Sequence, residues 1–358
     1  MNIRQFPCRA CGANVEYEPG TASLVCPYCN ADNPIPQSAD DVEELDFRKA
    51  LVHADRPEGV ETLAVSCGAC GAGFTLQPNV TADRCPFCDA PIVASEAAVR
   101  RQIEPWALLP FAIPKKDAGA AQKQWLHGRW FAPSDLVRRA NRDAIDGVYL
   151  PFWTYDCQTE SFYVGQRGHY YYEDEEYETT ENGQQVTRTR RVQKTRWSPA
   201  SGVVWVPFDD VVVPGSERLP TALIAKLEPW DLDRLERYDE RYLSGFQAEC
   251  YQIGLEDGFE HAKRFMDPAI RNACARDIGG DTQVVHTVKT RYDRITFKHI
   301  LLPVWISAYR YRDRVYRVMI NARTGEVVGE RPWSAVKITL AVLAMTLLIA
   351  LILYFAKS

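Results

Sequence analysis

The run ITLAVLAMTLLIALILYFA at residues 338–356 determines where the rest of the chain lies. It contains no charged residue and nothing more polar than two threonines and a tyrosine. At about 1.5 Å per residue, a helix of this length just crosses the hydrocarbon layer of a bilayer. We therefore expect a transmembrane helix at 336–356. The alternative is a buried helix of a soluble core, but such helices seldom run this long without a polar position.

The charges around this run predict its orientation. Lys357 stands alone after it, whereas five basic residues precede it: Lys337, Arg331, Arg323, Arg317 and Arg314. The positive-inside rule then places the body in the cytoplasm. The first residues, MNIRQFPCRA, are polar and contain no apolar leader. We expect a single-pass, tail-anchored protein of the inner (cytoplasmic) membrane.

The composition is that of a globular protein. Of 358 residues, 46% are hydrophobic and 25% are charged, and the net charge is -5. The length allows two or three domains. A mildly acidic chain offers no general attraction to nucleic acid or to anionic lipid.

Eight of the eleven cysteines form four C-x-x-C pairs. Fourteen residues separate the pairs in each of two copies, so one unit is used twice. In the reducing cytoplasm, thiolates bind metal rather than form disulfides. The predicted metal ligands are Cys8, Cys11, Cys26 and Cys29 in the first copy and Cys67, Cys70, Cys85 and Cys88 in the second.

Each pair is expected to form a tight turn that brings two sulfurs to one ion. The residue after each second cysteine is one that tolerates a positive φ: Gly12, Asn30, Gly71 and Asp89. Four thiolates suit a closed, structural, tetrahedral Zn²⁺ site, so we expect one zinc ion per ribbon. A redox-active C-x-x-C motif would need a βαβ context, which is absent here. Iron bound as in rubredoxin uses the same four cysteine ligands, so the ligands alone do not exclude it.

The ribbons carry few basic residues, which disfavours binding to nucleic acid. The first has Arg4 and Arg9 against three acidic residues, and the second has Arg84 beside Asp83 and Asp89. Tyr28 and Phe87 each lie between the cysteines of a C-P-aromatic-C turn. They either contact a protein partner or pack over the metal site.

The predicted fold class is α+β. Zinc ribbon 1 covers 1–36, an acidic, solvated linker with a short helix near 46–51 covers 37–62, and zinc ribbon 2 covers 63–97. A body of β-hairpins and helices covers 103–332. In it, Leu-Pro-x-Trp occurs at 150–153 and again at 302–305, each time followed by the alternating aromatics of half-buried strands. Helices are predicted at 116–144 and, from apolar spacing of three and four, at 219–278, where Gly254, Gly258 and Pro268 are expected to divide the helix into pieces.

The most charged segment, 170–196, contains Asn182-Gly183 at its middle, a strong hairpin signal. A two-residue turn there places Glu175 opposite Arg190 and Asp174 opposite Arg191. The basic run of the second strand is then neutralised by its partner strand, which favours a solvated hairpin over a nucleic-acid-binding arm.

No nucleotide-binding, metalloprotease or serine-hydrolase motif is present, so we expect no enzyme. The three remaining cysteines, Cys157, Cys250 and Cys274, and six scattered histidines form no ligand spacing. Cys157 with a distant histidine is a conceivable nucleophile pair, but buried thiols of a β-rich core fit better.

Several strings resemble a group of bacterial zinc-ribbon membrane proteins over nearly the whole chain. Beside the eight cysteines and the apolar tail, they are GRWFAPSD at 128–135, DGVYLPFWTY at 146–155, GQRG at 165–168 and RWSPASG at 196–202. Some members carry names taken from transcription factor IIB-type ribbons or from the primosomal replication helicase (primosomal protein N′, replication factor Y). Similar proteins occur beside phage-shock-type and flotillin-like membrane-stress proteins. The resemblance implies membrane docking and transfers no catalytic residue.

These observations predict a membrane-anchored adaptor whose ribbons and body recruit protein partners at the inner membrane. A nucleic-acid-binding replication accessory is the alternative, and a hydrolase that uses the aromatic β domain is a third hypothesis.

Overall fold

The computed structural model describes residues 6–37, 42–54, 60–75, 82–93, 98–134, 145–181, 184–312 and 314–357. The helices are α1 (Phe47–Ala54), α2 (Lys115–His127), α3 (Thr221–Ile224), α4 (Leu255–Ile278) and α5 (Ala335–Lys357), with 3₁₀ turns at Leu232–Arg234 and Glu240–Leu243. The first strands are β1 (Glu16–Tyr17), β2 (Ser23–Val25), β3 (Asp32–Pro34), β4 (Leu45–Asp46), β5 (Val60–Ser66), β6 (Gly73–Thr75), β7 (Ala82–Arg84), β8 (Pro91–Val93) and β9 (Ala98–Gln102). The body strands are β10 (Ala107–Leu108), β11 (Asp146–Glu181), β12 (Gln184–Pro214), β13 (Glu236–Arg237), β14 (Gln247–Ala248), β15 (Thr282–Tyr311), β16 (Arg314–Asn321) and β17 (Val327–Gly329).

A nine-stranded sheet forms the body, with the order β12-β11-β15-β10-β13 along its main path. Three of its strands are unusually long, at 36 residues for β11, 31 for β12 and 30 for β15. At about 3.3 Å per residue, a straight strand of 30 residues spans about 100 Å. The fold is therefore α+β as expected, but sheet dominates the body.

The two Leu-Pro-x-Trp stretches lie side by side in this sheet. β11 and β15 run antiparallel, with Leu150 opposite Leu302. Side chains of successive residues in a strand point to opposite faces, so each stretch contributes to both faces of the sheet. Leu150 and Leu302 point to one face, and Tyr149 and Trp305 to the other. The sheet centre is therefore buried on both sides.

The two cysteine-rich units cover opposite faces of this centre. Val65, Phe74 and Phe87 of the second unit pack in the same core as Leu150 and Leu302. In the first unit, the residues that pack with Tyr149 and Trp305 include Val15, Tyr17 and Leu24. The sheet thus lies between the ribbons.

Helix α4 covers the face on which ribbon 1 lies, further along the long strands. Its buried residues include Phe259, Met266 and Cys274, and they pack with Tyr155 and Phe297. Near its end, Asp277 accepts a 2.5 Å hydrogen bond from the Tyr163 hydroxyl. Gly279, with φ +67°, then turns the chain back towards β15.

Past the sheet centre the three long strands continue as an arm, here defined as residues 158–181 of β11, 184–207 of β12 and 282–293 of β15. β15 pairs with β11 only from Gly168, so the outer part is a two-stranded hairpin. Its register is the predicted one, with Glu175 opposite Arg190 and Asp174 opposite Arg191. Lys194 lies 2.7 Å from Glu173 and 3.0 Å from Glu175. The Asn182-Gly183 turn lies outside the described residues.

Helix α5 is long and apolar enough to cross a membrane. Its span Ala335–Ala356 has a mean hydropathy of 2.7, and none of it is buried inside the protein. No other helix among the described residues meets the same criteria. Exposure along the whole length contradicts the alternative of a buried core helix.

The helical prediction for 219–278 was wrong over most of its first half. Only α3, the 3₁₀ turns and short strands lie before Leu255. The apolar spacing there arises because Tyr242 and Phe246 pack on Tyr17 of ribbon 1, not because they share a helix face. Conversely, Gly258 and Pro268 do not divide the helix, since both lie inside α4.

Two other segment predictions need correction. The predicted helix at 116–144 ends at His127, and the part from 135 to 144 lies outside the described residues. The linker 37–62 is not solvated throughout. β4 pairs with β15, and Phe47, at the start of α1, is buried against Tyr155, Phe259 and Phe297. The signal that sequence reasoning overlooked was Phe47, a large apolar side chain directly after an acidic run.

Gly258 allows α4 to approach the sheet closely. A Cβ atom there would overlap the Tyr155 hydroxyl and lie 3.1 Å from Cδ1 of Trp153. We expect Gly258→Ala to lower the free energy of unfolding by about 1–3 kcal/mol, since α4 would have to shift. Chemical denaturation in detergent measures the change.

The control is Gly119→Ala in α2, where the new Cβ would lie 3.7 Å from Ile145 Cδ1, an ordinary contact and the nearest one among the described residues. This variant should be neutral or stabilising by about 0.5–1 kcal/mol. Equal effects of the two substitutions would contradict the proposed close approach.

Candidate metal centres

Four tight turns with the same hydrogen bonds present the eight predicted cysteines. In the first, the Cys8 amide donates to the Ala13 carbonyl at 2.7 Å, and the Gly12 amide donates to the Cys8 carbonyl at 2.9 Å. Cys67 repeats this pattern with Ala72 and Gly71. The turns of Cys26 and Cys85 do so with Asn30 and Asp89.

The residue after the second cysteine of each turn has positive φ, as predicted. The values are +76° for Gly12, +55° for Asn30, +75° for Gly71 and +60° for Asp89. This left-handed residue lets the backbone fold over the sulfurs, and its amide closes the turn.

Each unit brings its four sulfurs into one group. In the first, Cys8 Sγ lies 3.6 Å from Cys29 Sγ, and Cys11 Sγ lies 3.5 Å from Cys26 Sγ. In the second, the Cys67–Cys88 and Cys70–Cys85 distances are both 3.6 Å. All four sulfurs of each group lie within 4.8 Å of one another. A tetrahedral ion with metal–sulfur bonds of about 2.3 Å has ligands at this spacing, so each group can hold one metal ion.

Hydrogen-bond donors around Cys8 favour its thiolate form. The Ala10 amide lies 3.4 Å from Cys8 Sγ, and the Asn33 side-chain amide lies 3.8 Å from the same atom. Backbone amides of Ala10 and Cys11 lower the pKa of Cys8 to about 6. Because four sulfurs complete a tetrahedral shell, no position remains for a substrate.

The two aromatic residues of the C-P-aromatic-C turns differ in position. Tyr28 is 82% exposed. Phe87 is fully buried and packs edge-on against Phe74, with ring centroids 5.0 Å apart. Phe87 therefore packs in the core beside the second cysteine group rather than contacting a protein partner.

Both units are fixed to the body by hydrogen bonds that their backbone groups make with backbone or side-chain groups of the body. In ribbon 1, the Tyr17 amide donates to the Ser244 carbonyl at 2.9 Å, and the Ser244 hydroxyl donates to the Val15 carbonyl at 2.6 Å. In ribbon 2, Gly73 accepts from the Cys250 amide at 2.9 Å, and Phe87 accepts from Arg317 Nε at 2.7 Å. Sequence reasoning did not predict that the ribbons dock on the body, because the residues that bond to each other are more than 150 positions apart in the chain.

The remaining cysteines are buried and form no nucleophile pair in the described structure. Cys157 Sγ lies 3.7 Å from the Met266 sulfur, and burial raises the pKa of Cys157 to about 11. Cys250 and Cys274 are buried as well. A thiol in this state is a weak nucleophile.

A third group of charged residues lies where β11 bulges, and sequence reasoning gave no sign of it. The buried Lys298 ammonium lies 2.8 Å from Asp210 and 3.3 Å from Glu44. Asp156 is 3.9 Å from it, and burial raises the pKa of Asp156 to about 7. Carboxylate oxygens of Glu44, Asp156 and Asp209 come within 4.8 Å of one another. Since the Lys298 ammonium already pairs with Glu44 and Asp210, we interpret this group as structural rather than as a metal site.

A curated protein of Bacillus subtilis (strain 168), "Uncharacterized protein YdjG", is similar to this chain. The two are 26% identical over 341 residues, which cover 94% of this chain and 92% of the other. No family model matches the chain, and no solved structure matches it. The similarity therefore covers nearly the whole chain without indicating an activity.

We expect two metal ions per wild-type chain and one in Cys85→Ser, because three sulfurs and a hydroxyl hold the ion poorly. The second unit shares a core with the body, so the variant should also melt at a lower temperature. Elemental analysis of the purified protein and thermal unfolding measure both effects.

Cys157→Ser is the matched control, since it removes a buried thiol outside both groups. It should retain two ions. A Cys85→Ser protein that still binds two ions would contradict the assignment of the second group.

His299 gives the fold a dependence on pH. It is 3% exposed, with Nδ1 3.0 Å from the Ile103 carbonyl and its ring stacked on Trp153. Burial lowers the pKa of His299 to about 4. As pH falls below about 6.5, the unfolded state binds a proton that the native state does not. Between pH 7 and pH 5 this linkage should remove about 2 kcal/mol of stability.

His299→Phe should abolish this contribution, which denaturation at the two pH values measures by comparison with wild type. The control is the exposed His286→Gln, which should keep the wild-type pH dependence. An unchanged pH dependence in His299→Phe would show that other groups cause it.

Proposed function

We propose that this protein is a membrane-anchored adaptor whose body lies in the cytoplasm and binds protein partners through the arm. Zn²⁺ in both cysteine groups serves as a structural element in this proposal, and no catalytic step is involved. The observation that carries it is an exposed aromatic sheet face at the opposite end of the long strands from α5.

The arm has one covered face and one open face. Helix α4 covers the first up to Tyr163. On the second, Phe162 and Val164 lie on β11, and Trp205, 70% exposed, lies on β12 opposite Glu160. Lys289 follows on β15, opposite Phe162. Exposed aromatics bordered by charges are typical of protein-binding surfaces.

The long strands separate this face from α5. β15 begins in the arm at Thr282 and ends at Tyr311, where Tyr309 and Tyr311 pack with Leu126 and Ala132 beside the start of α5. Because a strand rises about 3.3 Å per residue, the arm lies tens of ångströms from the end of β15 that is next to α5. This separation supports an adaptor that presents a binding face away from the bilayer.

The basic flank of α5 supports a cytoplasmic body under the positive-inside rule. A cytoplasmic location in turn favours reduced thiolates and therefore metal in both groups. Zn²⁺ is proposed because four sulfur ligands in a closed tetrahedral arrangement suit it. The membrane-stress role implied by the resemblance stays a prediction.

The nucleic-acid alternative is disfavoured because basic residues of the arm and of ribbon 2 pair with acidic neighbours. Lys194 and Arg190 of the arm pair with Glu173 and Glu175. Arg84 of ribbon 2 pairs with Asp89 at 2.8 Å. Such pairs compete with phosphate for the same donors.

Photo-crosslinking in living cells tests the proposal. Benzoylphenylalanine replaces Phe162 on the open face, with Trp205 as a second position. The control position is Val52 of α1, which is 72% exposed but lies off the arm. We expect discrete protein adducts in the membrane fraction from both arm positions and none from Val52.

Two outcomes would contradict the proposal. Nuclease-sensitive adducts from the arm would favour the replication accessory. The absence of adducts from both arm positions would remove the arm as a binding surface.

A further inference from the structure

The loop after α2, residues 128–133, is tied to the first turn of α5. The Ser334 amide donates to the Phe131 carbonyl at 2.8 Å. Lys337 Nζ donates to the Trp130 carbonyl at 3.2 Å and to the Ala132 carbonyl at 2.8 Å. Three bonds therefore fix the loop beside α5, although it is about 200 residues away in sequence.

Lys337 determines the depth of this loop in a bilayer. It directly precedes the apolar run at 338–356, whose helical length of about 28 Å nearly equals the hydrocarbon thickness of about 30 Å. Lys337 must then lie at the hydrocarbon boundary when α5 spans the membrane. The headgroup layer extends about 5–8 Å further. Carbonyls within 3.2 Å of Lys337 lie inside that layer.

The side chains at this depth suit a lipid interface. Trp130 is 79% exposed, and Trp333 is also exposed. Arg129 lies 4.3 Å above the Trp125 ring, and Arg331 lies 4.3 Å above the Trp333 ring. Among the described residues, neither arginine has a carboxylate within ion-pair distance. Tryptophan prefers the interface, and arginine on an aromatic ring keeps its N–H donors available for phosphate.

The turn between β15 and β16 adds positive charge beside the loop. Tyr311 packs with Leu126 and Ala132, and Arg310, Arg312 and Arg314 are exposed around it. Together with Arg129, Arg331 and Lys337 they make six basic residues, against Asp313 and Glu330 in the same stretches. A chain of net charge -5 thus has a basic surface at its membrane end.

We propose that residues 128–133, 310–312, 314 and 331–337 form a collar that binds anionic phospholipid headgroups around α5, with the Trp130 indole in the interfacial layer. The collar rests on the proposed function in one respect, since α5 must span the bilayer. It supplies a second, peripheral attachment and selects negatively charged lipid.

Fluorine NMR of the full-length protein tests the depth of Trp130. The nine tryptophans are replaced by 5-fluorotryptophan, and the protein is reconstituted in phosphatidylcholine nanodiscs with or without an equal part of phosphatidylglycerol. Trp130→Phe, Trp333→Phe and Trp205→Phe assign three resonances. A lipid with a nitroxide on its headgroup should broaden those of Trp130 and Trp333 and leave that of Trp205 sharp.

The outcomes separate the collar from the membrane anchor. A broadened Trp333 with a sharp Trp130 would overturn the collar while α5 still spans. If both stay sharp, α5 does not place this end at the bilayer, and the anchoring part of the proposed function fails as well.

Lipid selectivity is tested by the association of spin-labelled phosphatidylglycerol relative to phosphatidylcholine, measured by electron paramagnetic resonance. Arg129→Gln with Arg331→Gln should lower this preference about fivefold for each arginine. Arg188→Gln with Arg191→Gln, in the arm, is the control and should leave it unchanged. Equal association of the two lipids with the wild-type protein would overturn the anionic selectivity.

Discussion

The antiparallel pairing of β11 with β15 around Leu150 and Leu302 is the constraint on which the rest of the structure depends. Because both strands are apolar at consecutive positions, the sheet has two buried faces rather than one, and each needs a cover. The two ribbons supply these covers on opposite sides. A shift of one residue in this register would exchange the faces and separate both ribbons from their partners. The repeated Leu-Pro-x-Trp motif thus determines where the repeated cysteine units sit.

The cysteine groups and the body stabilise each other through this arrangement. A unit of about 30 residues buries too little apolar surface to fold on its own, and metal binding normally supplies the deficit. Here part of the deficit is met by the body, since Tyr17 packs on Tyr242 and Phe87 packs inside the sheet core. The first group keeps Cys11 and Cys29 exposed, whereas the second has three of its four cysteines buried. Metal exchange should accordingly be easier in ribbon 1 than in ribbon 2.

Local chemistry in the sequence predicted the local geometry well. Residues that tolerate positive φ marked all four turns, and Asn182-Gly183 gave the register of a hairpin whose strands reach from Glu181 and Gln184 down to the sheet centre. The helix prediction for the segment before Leu255 failed because the spacing of apolar residues indicates that they are buried but not what buries them. Tyr242 and Phe246 are buried by a ribbon more than 200 residues earlier in the chain. For the same reason, the docking of both ribbons and the Lys298 carboxylate group had no signal in any short window. The eight cysteines were predicted because their spacing is itself local.

Charge is distributed differently at the two ends of the long strands. In the arm, acidic residues on β11 face basic residues on β12, so the arm has little net field of its own. The collar, in contrast, concentrates basic residues beside α5 within a chain that is acidic overall. An anionic bilayer therefore attracts the collar and repels the remainder of the body, and the attraction fades within a Debye length of about 8 Å at physiological salt. In the proposed arrangement this balance holds the long strands away from the lipid surface, so that the open face of the arm stays accessible to proteins in the cytoplasm.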